Sequence, residues 1–176
     1  MTAGIISLIM LSQMQQKDVW ERWLAAETRA NYFADLSGRF AWWQTFLTWT
    51  ALFSSSGAAF AIVSDSRIPA RWSWIKPVLA VFTAAVSLLA VVTQNQKRSS
   101  ECSDLHFKWN RLSTQYEALW NDMYSSEAQK KLESLIEKGA ELSKSAAHLP
   151  YRKRLMERWE DHVIRQHAPD YTAATA

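Results

Sequence analysis

Uncharged, mostly apolar positions gather into two long blocks. No charged residue occurs from Phe40 to Ser64, and none from Pro77 to Gln96. A helix rises 1.5 Å per residue, so about 20 apolar residues cross the roughly 30 Å hydrocarbon core of a bilayer. Both blocks reach that length. Inside lipid each backbone N–H and C=O needs an internal partner, which predicts one helix per block. The connector, Asp65 to Lys76, is short and charged, so the pattern predicts a transmembrane helical hairpin with spans at about 40–63 and 77–96. Aromatic residues bracket the blocks as an interfacial belt would: Phe40, Trp42 and Trp43 open the first, and Trp72 and Trp74 precede the second. The rival reading, a soluble bundle with two buried core helices, requires two tandem charge-free helices of unusual length.

The flanks read as amphipathic helix. Val19, Trp20, Trp23, Leu24, Ala30, Phe33 and Leu36 approximate a 3.6-residue stripe over Gln15 to Ser37, and Ser37-Gly38-Arg39 predicts a break before the first span. After the second span, the lack of Gly or Pro from Gln94 to Tyr124 predicts an unbroken helix. Leu105, Trp109, Leu112, Tyr116, Leu119 and Met123 are spaced 4-3-4-3-4 on it, as an a/d seam. That seam fits an intramolecular core or a zipper between protomers. Ser126 with Gln129 predicts a capping box for the next helix, with Leu132, Leu135 and Leu142 on its apolar face. A last helix is expected from Pro150 to about Gln166, followed by a loose tail. The expected organisation is 1–38 amphipathic segment, 39–97 hairpin, 98–168 helical region and 169–176 flexible tail. The fold class is an all-α membrane protein.

The spans carry polar stripes. Gln44, Thr48, Ala51, Ser55 and Ala58 share one face of the first, and Thr83, Ser87, Ala90 and Gln94 share one face of the second. Gly57 with Ala61 and Ala80 with Ala84 are small-xxx-small pairs, which allow close helix approach. Two readings of these stripes stay open: hydrogen-bonding glue between helices, or the lining of a passage formed when several hairpins assemble. No span holds an Asp, Glu, Lys, Arg or His, so a proton relay is not indicated.

Composition narrows the class. Four Gly and four Pro supply little turn chemistry for a β fold. The net charge of +3 suits anionic lipid head groups better than committed nucleic-acid binding. The single Cys102 excludes an internal disulfide. Its i, i+4 partner His106 makes two potential ligands, too few for a zinc site, so no metal or cofactor is expected. Arg22, Arg29, Arg39, Lys97, Arg98, Lys108 and Arg111 flank the outer ends of the spans, against Arg67, Arg71 and Lys76 in the connector. This excess predicts cytoplasmic termini. The apolar run Ile5 to Leu11 lacks a basic lead and a cleavage site, so no signal peptide is expected, and Met10 or Met14 could be the start. No phosphate loop, nucleophile elbow, HExxH or CxxC occurs, and no enzyme is expected. Arg152, Lys153, Arg154 and Arg158, beside Tyr151 and Trp159, form a basic cluster that is either a solvated helix face or a contact for lipid phosphate, a nucleotide or a partner's nucleic acid.

The layout resembles the SLATT group of two-span bacterial effectors. The resemblance rests on the Trp/Arg/Tyr-bearing helix from Trp20 to Phe33, the tight hairpin, and the Leu105, Leu112, Tyr116, Leu119 rhythm, over about Val19 to Met123. Retron-associated two-span effectors look similar. The chain departs from the SLATT pattern in its fewer basic residues before the first span and its many tryptophans. The resemblance implies a membrane-perturbing or pore-forming effector of anti-phage abortive infection, resident in the bacterial inner membrane and depolarising it on assembly. It also implies a homo-oligomer and a cytoplasmic sensor partner, such as a nucleotide-signalling system or a reverse transcriptase with its RNA–DNA hybrid. A passive membrane anchor or adaptor, and a holin-like protein, are the alternatives.

Overall fold

In a computed structural model, residues 11–63 and 74–175 are described. The connector residues Arg67, Arg71 and Trp72 and the start of the amino-terminal apolar run lie outside them. Among the described residues the chain is all-α, with no strand. The helices are α1 (Gln13–Val63), α2 (Ile75–Thr93), α3 (Asn95–Asn121), α4 (Ala128–Ser145) and α5 (Lys153–Thr175).

Helix α1 begins with a reciprocal cap. The Ser12 N–H donates to Gln15 Oε1 at 2.9 Å, and the Gln15 N–H donates to Ser12 Oγ at 3.3 Å. Two orphan donors of the first turn are thereby satisfied. The helix then runs 51 residues without interruption, so the break expected at Ser37-Gly38-Arg39 does not occur. Gly38 is exposed, and a Cβ built there would meet nothing within 4 Å. A helical glycine costs about 1 kcal/mol relative to alanine, too little to end a helix supported on both sides.

The break comes instead where an unbroken helix was expected. Gln94 takes φ 48° and ψ 34°, the one non-glycine positive φ among the described residues, and separates α2 from α3. The preceding β-branched run Val91-Val92-Thr93 weakens helix propensity locally. The buried Asn95 opens the next helix, and the Arg98 N–H donates to the Gln94 carbonyl at 3.1 Å. Three further boundaries differ from expectation. Ser126 does not cap α4: Glu127 holds the cap position, at φ −99° and ψ −2°, with no side-chain bond. Successive backbone turns, Ser125 N–H to Asp122 O and Ala128 N–H to Ser125 O, carry the chain into α4 in helical conformation, which gives a capping side chain no extended residue to act from. Helix α5 starts at Lys153 rather than Pro150. Its backbone stays helical past Pro169 to Thr175, where a loose tail was expected.

The chain divides into two compact units. The terminal unit comprises the chain up to Leu36 and from Glu101 onward; the central unit is Ser37–Ser100. In the terminal unit Val19, Trp23, Ala26, Ala30 and Phe33 are buried at 4-3-4-3 spacing on α1. Cys102, Leu105, Trp109, Leu112, Tyr116 and Leu119 are buried at matching spacing on α3, and Met123 continues the line in the turn after it. Leu132 and Leu135 of α4 and Leu155 and Val163 of α5 complete the core. Full burial of each large apolar side chain contributes about 1.5–3 kcal/mol, so these stripes dominate the stability of the unit. Polar contacts fix its register. His106 Nδ1 lies 2.9 Å from the Ala30 carbonyl oxygen. The Tyr32 hydroxyl donates to the Pro150 carbonyl at 3.0 Å and accepts from the Arg152 N–H at 3.1 Å.

Candidate membrane-facing site

The central unit has few elements with which to cover itself. On α1, Phe40, Leu47 and Ser54 are buried, with Gln44 and Ala51 half-buried between them. On α2, Val86 is buried, with Leu79, Thr83, Ala90 and Thr93 half-buried. Both lines step 4-3-4-3, the spacing of two helices packed along a narrow seam. A two-sided clasp closes the open end. The Ser37 hydroxyl donates to the Ser99 carbonyl at 3.1 Å, and the Ser99 hydroxyl to the Ser37 carbonyl at 3.0 Å.

Among the described residues, most of the two helices off that seam faces outward, and most of that surface is apolar. Trp42, Trp43, Phe46, Trp49, Leu52 and Phe53 of α1 are exposed, as are Val78, Val81, Phe82, Leu88, Leu89, Val91 and Val92 of α2. Phe53 is 72% exposed and Val91 73%. Soluble monomers rarely expose a continuous apolar surface beyond a few hundred Å². Among the described residues one helical stretch, Pro77–Asn121, is long and apolar enough to cross a membrane, and only 6% of its apolar window is buried. A core helix of a soluble bundle would be mostly covered.

Away from the Ser37–Ser99 clasp, seven hydroxyls of this unit are turned onto the backbone of their own helices. Thr48 donates to the Gln44 carbonyl, Thr50 to Phe46, Ser54 to Thr50, Ser55 to Leu52, Ser56 to Leu52, Thr83 to Leu79 and Thr93 to Ala90. Each bond satisfies a hydroxyl without water, which lowers the cost of holding it in an apolar medium. The two polar stripes marked out in the sequence divide between the seam and the exposed surface. Gln44, Ala51, Thr83 and Ala90 do lie on the seam, whereas Thr48, Ser55, Ala80, Ala84 and Ser87 are exposed beside it. Gln94 marks the helix break and is exposed. Gly57 and Ala61 lie on the helical backbone of α1. The signals that would have found Leu47, Ser54 and Val86 are the 4-3 lines starting at Phe40 on α1 and at Leu79 on α2, which the conspicuous hydroxyls mask.

The heptad seam, open in sequence between an internal core and an interface of protomers, is covered within one chain. Leu105, Trp109, Leu112, Tyr116, Leu119 and Met123 are all between 2% and 9% exposed inside a single chain. A side chain already covered by its own fold offers no surface to a second protomer. The alternative of an internal core is the one realised.

The basic cluster is at the surface. Arg152, Lys153, Arg154 and Arg158 are exposed, with Lys153 3.6 Å from Glu157 and Arg158 stacked 5.7 Å from the Trp159 ring centre. Cys102 is fully buried, and burial pushes its thiol from 9.0 to about 11. Burial likewise raises the Tyr32 and Tyr116 phenols, while the hydrogen bond to Asp18 raises Arg22. No group of three or more metal-ligating side chains is found among the described residues.

Comparison with models of known families, with curated proteins and with solved structures finds no match to this chain.

Proposed function

We propose that the central unit is a two-span transmembrane hairpin. In this reading the protein is a membrane-perturbing effector of bacterial anti-phage defence, held in the inner membrane with both termini cytoplasmic. The supporting observation is the outward apolar surface from Trp42 to Phe53 and from Val78 to Val92. In water that surface would be costly at about 25 cal/mol per Å²; in lipid it is the natural contact. Effector action then follows from assembly. Since the α3 seam is used internally, copies meet through the central unit. The exposed small and hydroxylated positions Thr48, Ser55, Ala80, Ala84 and Ser87 are the surfaces able to approach closely and admit water between copies. Assembly, controlled by a cytoplasmic sensor that contacts the terminal unit, opens a path for ions and collapses the membrane potential.

A second reading is a passive anchor. It is favoured by one observation: the exposed hydroxyls of Thr48 and Ser55 already donate to their own backbones. Such hydroxyls need neither a water path nor a neighbour.

Induced expression in bacteria with a potential-sensitive dye separates the two. An effector depolarises cells, and Thr48→Leu with Ser87→Leu removes the effect while membrane insertion persists. Depolarisation unaltered by the double substitution refutes the lining role, and no depolarisation with any trigger leaves the anchor. Bromine-labelled lipid tails provide the independent check on the hairpin. Trp42, Trp43 and Trp49 should be quenched in single-Trp variants, and Trp23 and Trp109 should not. Equal quenching of both sets overturns the membrane reading.

A further inference from the structure

Within the two charge-free blocks, Thr45 and Ser87 are the hydroxyls that make no hydrogen bond among the described residues; the others donate to their own helices. Thr45 lies about 8 Å along α1 from Phe40, near the head groups of a bilayer. Ser87 stands at the middle of the second block, ten residues past Pro77 and nine before Gln96. It is exposed beside the seam, with Ala84 and Ala80 one and two turns before it on the same face. Trp49 is unsatisfied in the same way. It is 56% exposed and stacks on Phe53 with ring centres 5.8 Å apart, and its indole N–H makes no hydrogen bond among the described residues. Tryptophan in a span ordinarily sits at the interface, where head groups and water accept from the ring nitrogen. Trp49 lies about 14 Å along α1 from Phe40, near the middle of the hydrocarbon, where lipid tails offer no acceptor.

The clasp between Ser37 and Ser99 sets these two groups at one level. Trp49 follows Ser37 by 12 residues and Ser87 precedes Ser99 by 12, to within the one-residue break at Gln94. Each therefore stands about 18 Å from the clasp along its helix. Inside one chain they do not meet. Trp49 is two positions from both Leu47 and Ala51, which turns it away from the seam, whereas Ser87 lies beside the seam on the other helix. Two copies inserted in the same sense carry them at the same depth, the donor on one and the acceptor on the other. Shape agrees with chemistry: the Trp49 and Phe53 rings form a ridge, and the Ala80, Ala84 and Ser87 face is shallow enough for it to approach closely.

We infer that the aromatic ridge of α1 is the docking surface for a second copy of this chain, whose Ser87 hydroxyl accepts a hydrogen bond from the Trp49 N–H inside the bilayer. The contact rests on the transmembrane reading of the central unit and adds to it the faces through which copies meet. Because the two groups lie on different faces, the contact runs head to tail. A copy engaged through its Trp49 keeps its own Ser87 for a third, so the assembly can continue past a pair.

The test measures energy transfer between full chains carrying donor or acceptor dyes at the carboxyl terminus, in phosphatidylcholine vesicles over a range of protein-to-lipid ratios. Resistance to carbonate extraction scores insertion separately. Trp49→Phe keeps a ring and removes the N–H, and Ser87→Ala removes the acceptor. Both side chains are exposed in the single chain, so its packing is untouched. Each substitution should weaken association about three- to tenfold. The double variant should associate no worse than the poorer single one, because both remove the same bond. Mixing Trp49→Phe chains with Ser87→Ala chains restores one intact contact per pair, and association should exceed that of either alone. Losses that multiply in the double variant, a loss in one single variant only, no gain on mixing, or no concentration-dependent transfer in the wild type would each overturn the contact; extraction-resistant chains would then leave the hairpin standing. Chains stripped from the vesicles by carbonate would overturn the hairpin and the contact together.

Discussion

Replacing Tyr32 with phenylalanine isolates the contact that ties α1 to the start of α5. The ring is 2% exposed and rests edge-on against Phe33, with centroids 5.1 Å apart. Phenylalanine preserves that packing and removes only the oxygen. Two hydrogen bonds are lost, to the Pro150 carbonyl and from the Arg152 N–H, across 118 and 120 residues of sequence. A net contribution of about 0.5–1.5 kcal/mol per bond sets a range of about 1–3 kcal/mol. Pro150 and Arg152 are themselves exposed, so water can take over part of the loss, and about 1–2 kcal/mol is expected. For a protein of this size that corresponds to a fall in melting temperature of roughly 2–8 °C. Circular dichroism of the terminal unit's unfolding measures the global effect. Amide hydrogen exchange at Arg152 measures the local one, because the phenol oxygen is its acceptor. An unchanged melting temperature together with an unchanged Arg152 exchange rate would show that the phenol does not bridge these segments, and the docking of α5 on α1 would need another explanation.

Three further outcomes follow from the packing. Leu112→Ala empties a site that also rests on α4, where a Cβ on Gly139 would lie 3.6 Å from Leu112 Cδ2; it should cost about 2–5 kcal/mol by denaturant titration and leave cross-linked stoichiometry in nanodiscs unchanged. The reverse pattern, lost stoichiometry at full stability, would restore the α3 seam to an interface between protomers. Gly38→Ala should stabilise by about 0.8–1 kcal/mol, since α1 is continuous there and the new methyl meets nothing; destabilisation in thermal melts would mean the helix does break at that glycine. Stability should also fall at alkaline pH. Cys102, raised from 9.0 to about 11, and the raised Tyr32 and Tyr116 phenols hold their protons more tightly folded than unfolded, so their contribution is intact below about pH 9 and is lost as pH climbs towards 11 and beyond. Melting temperatures between pH 8 and 11 should decline, less steeply in Cys102→Ala, and a flat profile would contradict the burial of these groups.

Periodic apolar positions were the legible part of this chain. The stripe from Val19 to Phe33 and the α3 seam could be read from spacing alone, because burial against a neighbouring helix enforces that spacing. Who covers a stripe was not legible: the α3 residues satisfy an internal core and a protomer interface equally well as a pattern. Local punctuation misled in both directions. Gly38 looks like a stop and is passed over, since a helix held on both sides absorbs one weak residue. Gln94 carries no turn signature and yet adopts the left-handed conformation. The Ser-x-x-Gln motif occurs at Ser12 and at Ser126, and only the first acts as a cap, because only there does the chain enter the helix from a non-helical segment. The common level of Trp49 and Ser87 was invisible in sequence, because it is set by a clasp between serines 62 positions apart.

The burial of Cys102 has a practical consequence. The chain's lone thiol is fully covered and, near neutral pH, almost wholly protonated. An alkylating reagent therefore modifies it only during excursions in which the helices around it separate. Labelling rate becomes a clock for the loosening of the terminal unit, readable in intact membranes without introducing a probe, and any ligand or partner that clamps those helices should slow it.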